Sequence, residues 1–381
     1  MTPATIRPVA GARGLVILFL AAITTPGLGL LVGLDRATIS ESEMRELAPA
    51  PASPRTLADL VAWPGAFEHY FDDRFAFRNR LIDGRAMLLW KGLRTSASET
   101  VIAGKSDWLF YAADGGIDDW TQEEPFTPDE LETWRETLVK RQAFLSRRGI
   151  PFLFVIAPDK QMIYPEHMPD SLRRLRQDYR ADQFAAFMRA RAPEVRIVDL
   201  RSTVIAAKSA EPLYHRYDTH WNDRGALAGY QAIMTALREW FPAMRPLQRS
   251  DFDTDPSVPS GDKTTMLGLR DASKATMPGL VLRRGQGYRV VEPVVPDPYG
   301  EVGRLVTEHR DRSLPTTIVY RDSFAGRLIP FLSEHFSQAT YYWQNEFEFA
   351  DIERDKPDVV IQEFVARHFY AYVPYPGIIP E

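Results

Sequence analysis

The chain has 381 residues, 45% of them hydrophobic and 12% aromatic, which is ample for a large packed core and excludes disorder as the main state. Its 46 basic and 51 acidic residues are interspersed and sum to −5, so there is no extended basic face and nucleic acid is excluded as the expected partner; a neutral, small or carbohydrate ligand is favoured. Cysteine is absent, which excludes disulfides, thiol catalysis, a lipoprotein anchor and thiolate metal sites.

In chain order, residues 1–13 are short and carry Arg7 and Arg13, and residues 14–34, GLVILFLAAITTPGLGLLVGL, hold no ionisable side chain. That length suffices for a helix to cross a bilayer core of roughly 30 Å. Basic residues on the N-terminal flank predict a cytoplasmic N-terminus, a transmembrane anchor over 14–34, and everything later on the far side. A cleaved signal peptide and a buried soluble helix are the alternatives; no A-x-A cleavage pattern follows the apolar run. Residues 35–66 include LAPAPASPRTLAD and read as a flexible or extended spacer. FEHYFDDRFAFRNRL, 67–81, has apolar residues near helical spacing and is expected to dock on the domain after it, as packing.

From about Val101 strands and helices alternate. Thr127 as N-cap, Pro128 and Glu130 open a helix that Gly149 stops, and PFLFVIAP (151–158) is a buried strand. A helix over 180–191, a strand over 195–200 and a helix over 222–240 follow. TTIVY (316–320), ATYYW (339–343) and PDVVIQEF (357–364) read as strands, and AGRLIPFLSEHF (325–336) as a helix. The fold class expected is α/β, a mostly parallel sheet with helices on both faces. Residues 241–315, rich in Pro, Gly and Asp, read as a long irregular insertion with a hairpin around LVLRRGQGYRVVEPVV.

The chemistry centres on YDTHWNDRGA (217–226) and YRDSFAGRL (320–328). Ser323 stands where a strand ends and a helix is expected, the edge where parallel sheets bind ligands and where backbone N–H groups can hold an anion. A serine hydroxyl needs a base, for which His220 is the candidate, and Asp218, two residues earlier in a locally extended segment, faces the same side and can orient the imidazole.

These elements resemble the AlgX/AlgJ group of SGNH-hydrolase-like sugar O-acetyltransferases. The resemblance rests on the two motifs above together with FEHYFDDRFAFRNRL, VIAGKSDWLFY, FVIAPDKQMIYPEHMP, SGDKTTMLGL and VVIQEFVARHF, in that order. It implies a three-layer SGNH-like domain over 67–381 on the periplasmic side of the bacterial inner membrane. It implies an Asp218–His220–Ser323 triad in permuted chain order, and an acetyl group passed through Ser323 to a hydroxyl of an exported polysaccharide. It also implies a multi-pass membrane acyltransferase as the source of that group. No metal or organic cofactor is expected. Arg321 departs from the family's G-D-S form, where a glycine precedes the aspartate, and so places the oxyanion geometry in question. Lys160, Tyr164 and Arg321 are substrate-binding candidates, and Trp221 and Trp108 candidates for stacking on a sugar. Asn222 reads as helix cap before oxyanion donor, and Glu363 and Arg367 as members of a buried ion pair. An esterase of the same fold and a non-catalytic carbohydrate-binding or assembly subunit are the rival functions.

Overall fold

The computed structural model describes residues 12–34, 39–40, 45–255, 279–292 and 303–374. They fall into two compact units, one ending at Leu93 and the other beginning at Arg94. SGDKTTMLGL lies outside the described residues.

The first unit holds α1 (Ala12–Leu31), α2 (Leu57–Arg74) and α3 (Arg78–Met87). From Arg13 to Leu31, α1 is long and apolar enough to cross a membrane, with a mean hydropathy of 2.1. The last ten residues of the expected spacer, 57–66, are helical because Thr56 and Asp59 form a reciprocal capping box, which starts α2 at Leu57. The 67–81 segment, expected to dock on the following domain, belongs to this first unit. There Ala76 donates its N–H to the Pro26 carbonyl at 3.1 Å, and a Cβ added at Gly29 would stand 2.2 Å from that of Ala76. Phe77, at φ 68, makes the turn between α2 and α3.

The second unit is built on a seven-stranded sheet. Its strands are β1 (Phe152–Ala157), β2 (Arg196–Asp199), β3 (Tyr288–Glu292), β4 (Arg304–His309), β5 (Thr316–Arg321), β6 (Gln338–Trp343) and β7 (Val359–Val365). They lie in the order β2-β1-β7-β5-β6-β4-β3. The first five are parallel, and β4 and β3 extend the sheet antiparallel beyond β6. Side-chain alternation divides each strand between two cores. On β1, Leu153, Val155 and Ala157 join one core and Phe152, Phe154 and Ile156 the other. The first core is closed by α6 (Arg201–Ala207) and α7 (Asp223–Leu237), through Val204, Ile233 and Leu237. The second is closed by α4 (Pro128–Ser146) and α5 (Arg180–Arg191), where Trp134 meets Phe154, Phe184, Phe364 and Phe369 edge-on at 5.1–6.0 Å. The α/β three-layer architecture is thus the observed one, with Thr127 capping α4 as its T-P-D-E sequence predicts.

Three further expectations change. The 241–315 stretch is not wholly irregular, since it supplies β3 and β4 of the main sheet and a two-stranded sheet of Phe252–Asp255 against Gly279–Leu282. The predicted hairpin is absent because its two arms, though joined by a left-handed Gly285 (φ 73), pair with different sheets. The predicted 325–336 helix is broken into a 3-10 turn (Phe324–Arg327), one α turn (Ile329–Leu332) and another 3-10 turn (Ser333–His335). Pro330 lacks the N–H that a continuous helix would need there.

Candidate active site

The carboxyl ends of three neighbouring strands, β1, β7 and β5, each hand a charged residue to one region: Asp159 and Lys160 after β1, Arg367 after β7, and Asp322 and Ser323 after β5. Opposite them, a closed loop begins and ends at the Tyr214↔Trp221 bridge and carries Asp218 and His220. The structure brings Asp218, His220 and Ser323 into one line. Asp218 Oδ1 is 2.8 Å from His220 Nδ1, and His220 Nε2 is 2.9 Å from Ser323 Oγ. The segment between Asp218 and His220 is bent rather than extended. The carboxylate reaches the ring because Oδ1 also accepts the His220 backbone N–H at 3.0 Å, an Asx-type turn that fixes both partners at once.

Burial alone would raise the Asp218 carboxyl, but the hydrogen bonds and charge of His220 outweigh it and hold the group well below the usual carboxylate range. It is therefore an anion facing an imidazole. The His220 side chain is 26% exposed against 13% for Asp218, so the line runs from a sheltered acid to a solvent-reachable serine end.

The serine turn is pinned by its neighbour. Asp322 accepts the Phe324 N–H on Oδ1 at 2.8 Å and the Val365 N–H on Oδ2 at 2.7 Å, so β7 itself holds the Ser323 turn. Glu363 accepts the Asp322 N–H at 3.1 Å, and burial first, then the Asp322 charge, pushes its carboxyl well above the ordinary range into the neutral form. Arg321 does not spoil this turn. It has no positive φ, so no glycine is required, and its side chain turns into the interior, with Nη1 donating to the Asp322 carbonyl at 3.2 Å and the guanidinium 4.3 Å from the Trp343 ring centre. That buried placement removes it from substrate contact.

Several other sequence candidates also have structural positions. Trp221 is fully buried, donates Nε1–H to the Phe324 carbonyl at 3.0 Å and so ties the histidine loop to the serine turn instead of offering a face to a sugar. Trp108 is buried with its ring stacked on His167 at 4.4 Å. Tyr164 is buried and its hydroxyl accepts the Leu213 N–H at 2.9 Å, so it supports the loop from behind. Asn222 caps α7, its Oδ1 accepting the N–H groups of Arg224 and Gly225 at 2.9 and 3.1 Å. Arg367 is in a buried ion pair, but with Asp159 at 2.7 Å and not with Glu363, whose carboxyl accepts the Asp322 N–H instead.

Lys160 lies within the site without lining its surface. Its ammonium is buried beneath the histidine loop and donates to the carbonyls of His215, Arg216 and Asp218 at 2.9, 3.2 and 2.6 Å, with the Trp108 and Phe110 rings at 5.4 and 5.2 Å. A lysine after a strand gives little sign of such a role in sequence. Lys160→Met keeps the stem and removes three charge-assisted bonds, so a loss of ~3 kcal/mol in urea unfolding is expected. Asp218 should then drift, lowering kcat toward an activated ester roughly 10- to 100-fold while KM changes little. A folded variant with unchanged kcat would contradict this.

Three further residues escaped the sequence reading. Asp223 and Arg327 pair at 2.8 Å, one turn beyond His220 and Ser323 respectively. His215 is buried in the same loop and pushed down to about 4 by desolvation, so it is neutral beside the Asp218 anion. Only an i+3 and an i+4 offset from the two motifs could have hinted at the Asp223–Arg327 pair.

Comparison with known proteins bears on this geometry. Residues 101–290 match the family model described as the SGNH hydrolase-like domain of the acetyltransferase AlgX. A probable alginate O-acetylase AlgJ of Pseudomonas aeruginosa is 30% identical over 212 residues, covering 55% of this chain and 50% of that protein. The corresponding protein of Pseudomonas syringae pv. tomato is 27% identical over 260 residues, covering 68% of this chain and 61% of that one. The matches thus span about half to three fifths of these relatives. Among solved structures, Bacillus cereus PatB1 shares the fold, with a TM-score of 0.53 at 16% identity over 71% of this chain and 96% of that one. The chain carries an SGNH-hydrolase-like domain of the AlgX/AlgJ family.

Proposed function

We propose that this protein is a serine-dependent O-acetyltransferase acting on hydroxyls of an exported polysaccharide. The observation that carries the reading is the unbroken hydrogen-bonded line from Asp218 through His220 to Ser323 at the sheet's carboxyl edge. The naming of similar proteins as alginate O-acetylases supports the substrate class.

In this reading Ser323 Oγ attacks the carbonyl carbon of a donor acetyl ester while His220 Nε2 takes its proton. The Asp218 anion stabilises the imidazolium and fixes its tautomer. The Ser323 N–H, which makes no hydrogen bond to the described residues, is the local donor for the oxyanion. Collapse expels the donor's alkoxide, which receives the proton from His220 and leaves acetyl-Ser323. A sugar hydroxyl then attacks this ester, its proton passes to His220, and the departing Ser323 oxygen takes that proton back. The donor is an acetyl group delivered through a multi-pass membrane acyltransferase, and α1 keeps the protein in the inner membrane with its catalytic unit in the periplasm.

The test is a partition experiment. With 4-nitrophenyl acetate as donor and an unacetylated oligosaccharide as acceptor, acetylated sugar should accumulate at the expense of free acetate. Acetate alone, with acceptor saturating, would make the protein an esterase; turnover no higher than that of Ser323→Ala would make it a binding subunit.

A further inference from the structure

The first unit leaves large apolar side chains in the open well beyond α1. On α2, Leu57, Leu60 and Val61 are 82%, 58% and 83% exposed, and their i, i+3, i+4 spacing places them on one stripe. Phe67 extends it, with the Trp63 ring stacked on it at 5.1 Å. After the turn, Leu81, Met87, Leu88 and Leu93 are exposed as well. A patch of this extent is not normally left to water. Arg74 closes α2, Arg78, Arg80 and Arg85 lie on α3 and Lys91 follows it, among the acids Asp59, Glu68 and Asp72 of α2 and Asp83 of α3. Asp73, beside Asp72 near the end of α2, is held by Arg45 at 2.6 Å.

The C-terminal end of α2 is tied to α1. Ala76 and Phe71 pack on Gly29 and Gly27, and the Ala76 N–H bonds to the Pro26 carbonyl. Pro26 lies five residues before the end of α1 at Leu31, about 8 Å along the axis at ~1.5 Å per residue. In a bilayer core of roughly 30 Å, a corner seated on that turn sits at the boundary between acyl chains and headgroups. Exposed Leu28 and Leu31 of α1 continue the apolar surface within the same unit.

We propose that α2 and α3 form an amphipathic platform lying in the outer membrane–water interface, with Leu57, Leu60, Val61 and Phe67 among the upper acyl chains and the flanking arginines and lysine at the lipid phosphates. The occupant of the stripe is the bilayer, because α2 packs through Phe71, and through Ala76 just beyond its end, on the apolar span of the same unit. The inference rests on α1 being a retained span, and its test separates the two.

The absence of cysteine allows single-site labelling of the full chain. Leu20→Cys in α1 and Val61→Cys in α2, both at exposed positions, are each labelled with an environment-sensitive fluorophore after thermal melting shows native stability. The proteins are reconstituted into vesicles of phosphatidylcholine and phosphatidylglycerol, and quenching by acyl-chain nitroxides is compared with quenching by aqueous iodide. At Val61 the lipid quencher should act at least ~3-fold more strongly than iodide, as for a side chain in the acyl boundary. Lipid quenching at Leu20 with iodide quenching at Val61 overturns the platform and leaves the anchor standing. Iodide quenching at Leu20 overturns the anchor and the platform with it. Protection of Val61 from both quenchers means that protein, a second copy or another chain, covers the stripe, and also overturns the proposal.

Discussion

Ser323→Ala is expected to abolish release of alcohol from a small activated acetyl ester, a fall of at least ~1000-fold in kcat, or ~4 kcal/mol of transition-state stabilisation. A sulfonylating inhibitor should add its mass at Ser323 in the wild type and nowhere in the variant. His220→Ala should cost nearly as much, since a nucleophile without its base is a weak one and members of a triad act as a unit. Asp218→Asn should leave more activity. The amide can still accept the His220 backbone N–H that shapes the turn, but it no longer offers an anion to the imidazolium. All three proteins are compared by circular dichroism, since loss of fold would account for the result trivially. Equal ester turnover in folded wild type and Ser323→Ala would remove Ser323 as nucleophile.

Asp159→Ala should produce the largest stability change of any single substitution near the site. The Asp159 carboxylate meets the Arg367 guanidinium at 2.7 Å and also accepts the Arg367 backbone N–H at 2.7 Å, with both side chains buried. Removing it strands a charge in the interior, and breaking such a pair costs ~3–5 kcal/mol, on the order of 10 °C in melting temperature for a domain of this size. The Arg367 guanidinium lies 5.4 Å from the ring centre of Phe324, which directly follows Ser323, so ester turnover should drop as well. Replacing both partners, Asp159→Leu with Arg367→Met, should recover much of the stability, because the lone buried charge is then gone. A single variant melting within a degree or two of the wild type would show that the pair is not the anchor described.

What sequence reasoning captured was local in character. The Thr127–Glu130 cap, the apolar run of β1 and the D-T-H and D-S spacings are each readable within a few residues. The features it missed depend on distant partners. Lys160 reads as a surface or site lysine until a loop 55 residues later folds over its ammonium. Trp221 reads as a stacking platform until the Phe324 carbonyl, 103 residues on, claims its indole N–H. Arg321 looks like a flaw beside a glycine-bearing motif, yet the backbone there stays at negative φ and any side chain fits. The arms of 280–295 carry every local sign of a hairpin, and only the competition between two sheets for their edges decides against it.

The position of β7 has a consequence for the order in which the molecule becomes itself. β7 is the last strand among the described residues, and it sits between β1 and β5, pairing Phe152 with Val360 about 200 residues after β1 has been made. Until it arrives, β1 and β5 each present an open edge, the loop joining them is at its longest, and the sheet has two halves with nothing to join them. The strand that completes the sheet also supplies the Val365 N–H that holds Asp322, and with it the turn of Ser323. A growing chain can therefore possess its serine, its histidine and its aspartate for a long while and still have no poised hydroxyl. The hydrogen bond that holds the turn of Ser323 is made only by the segment that closes the gap.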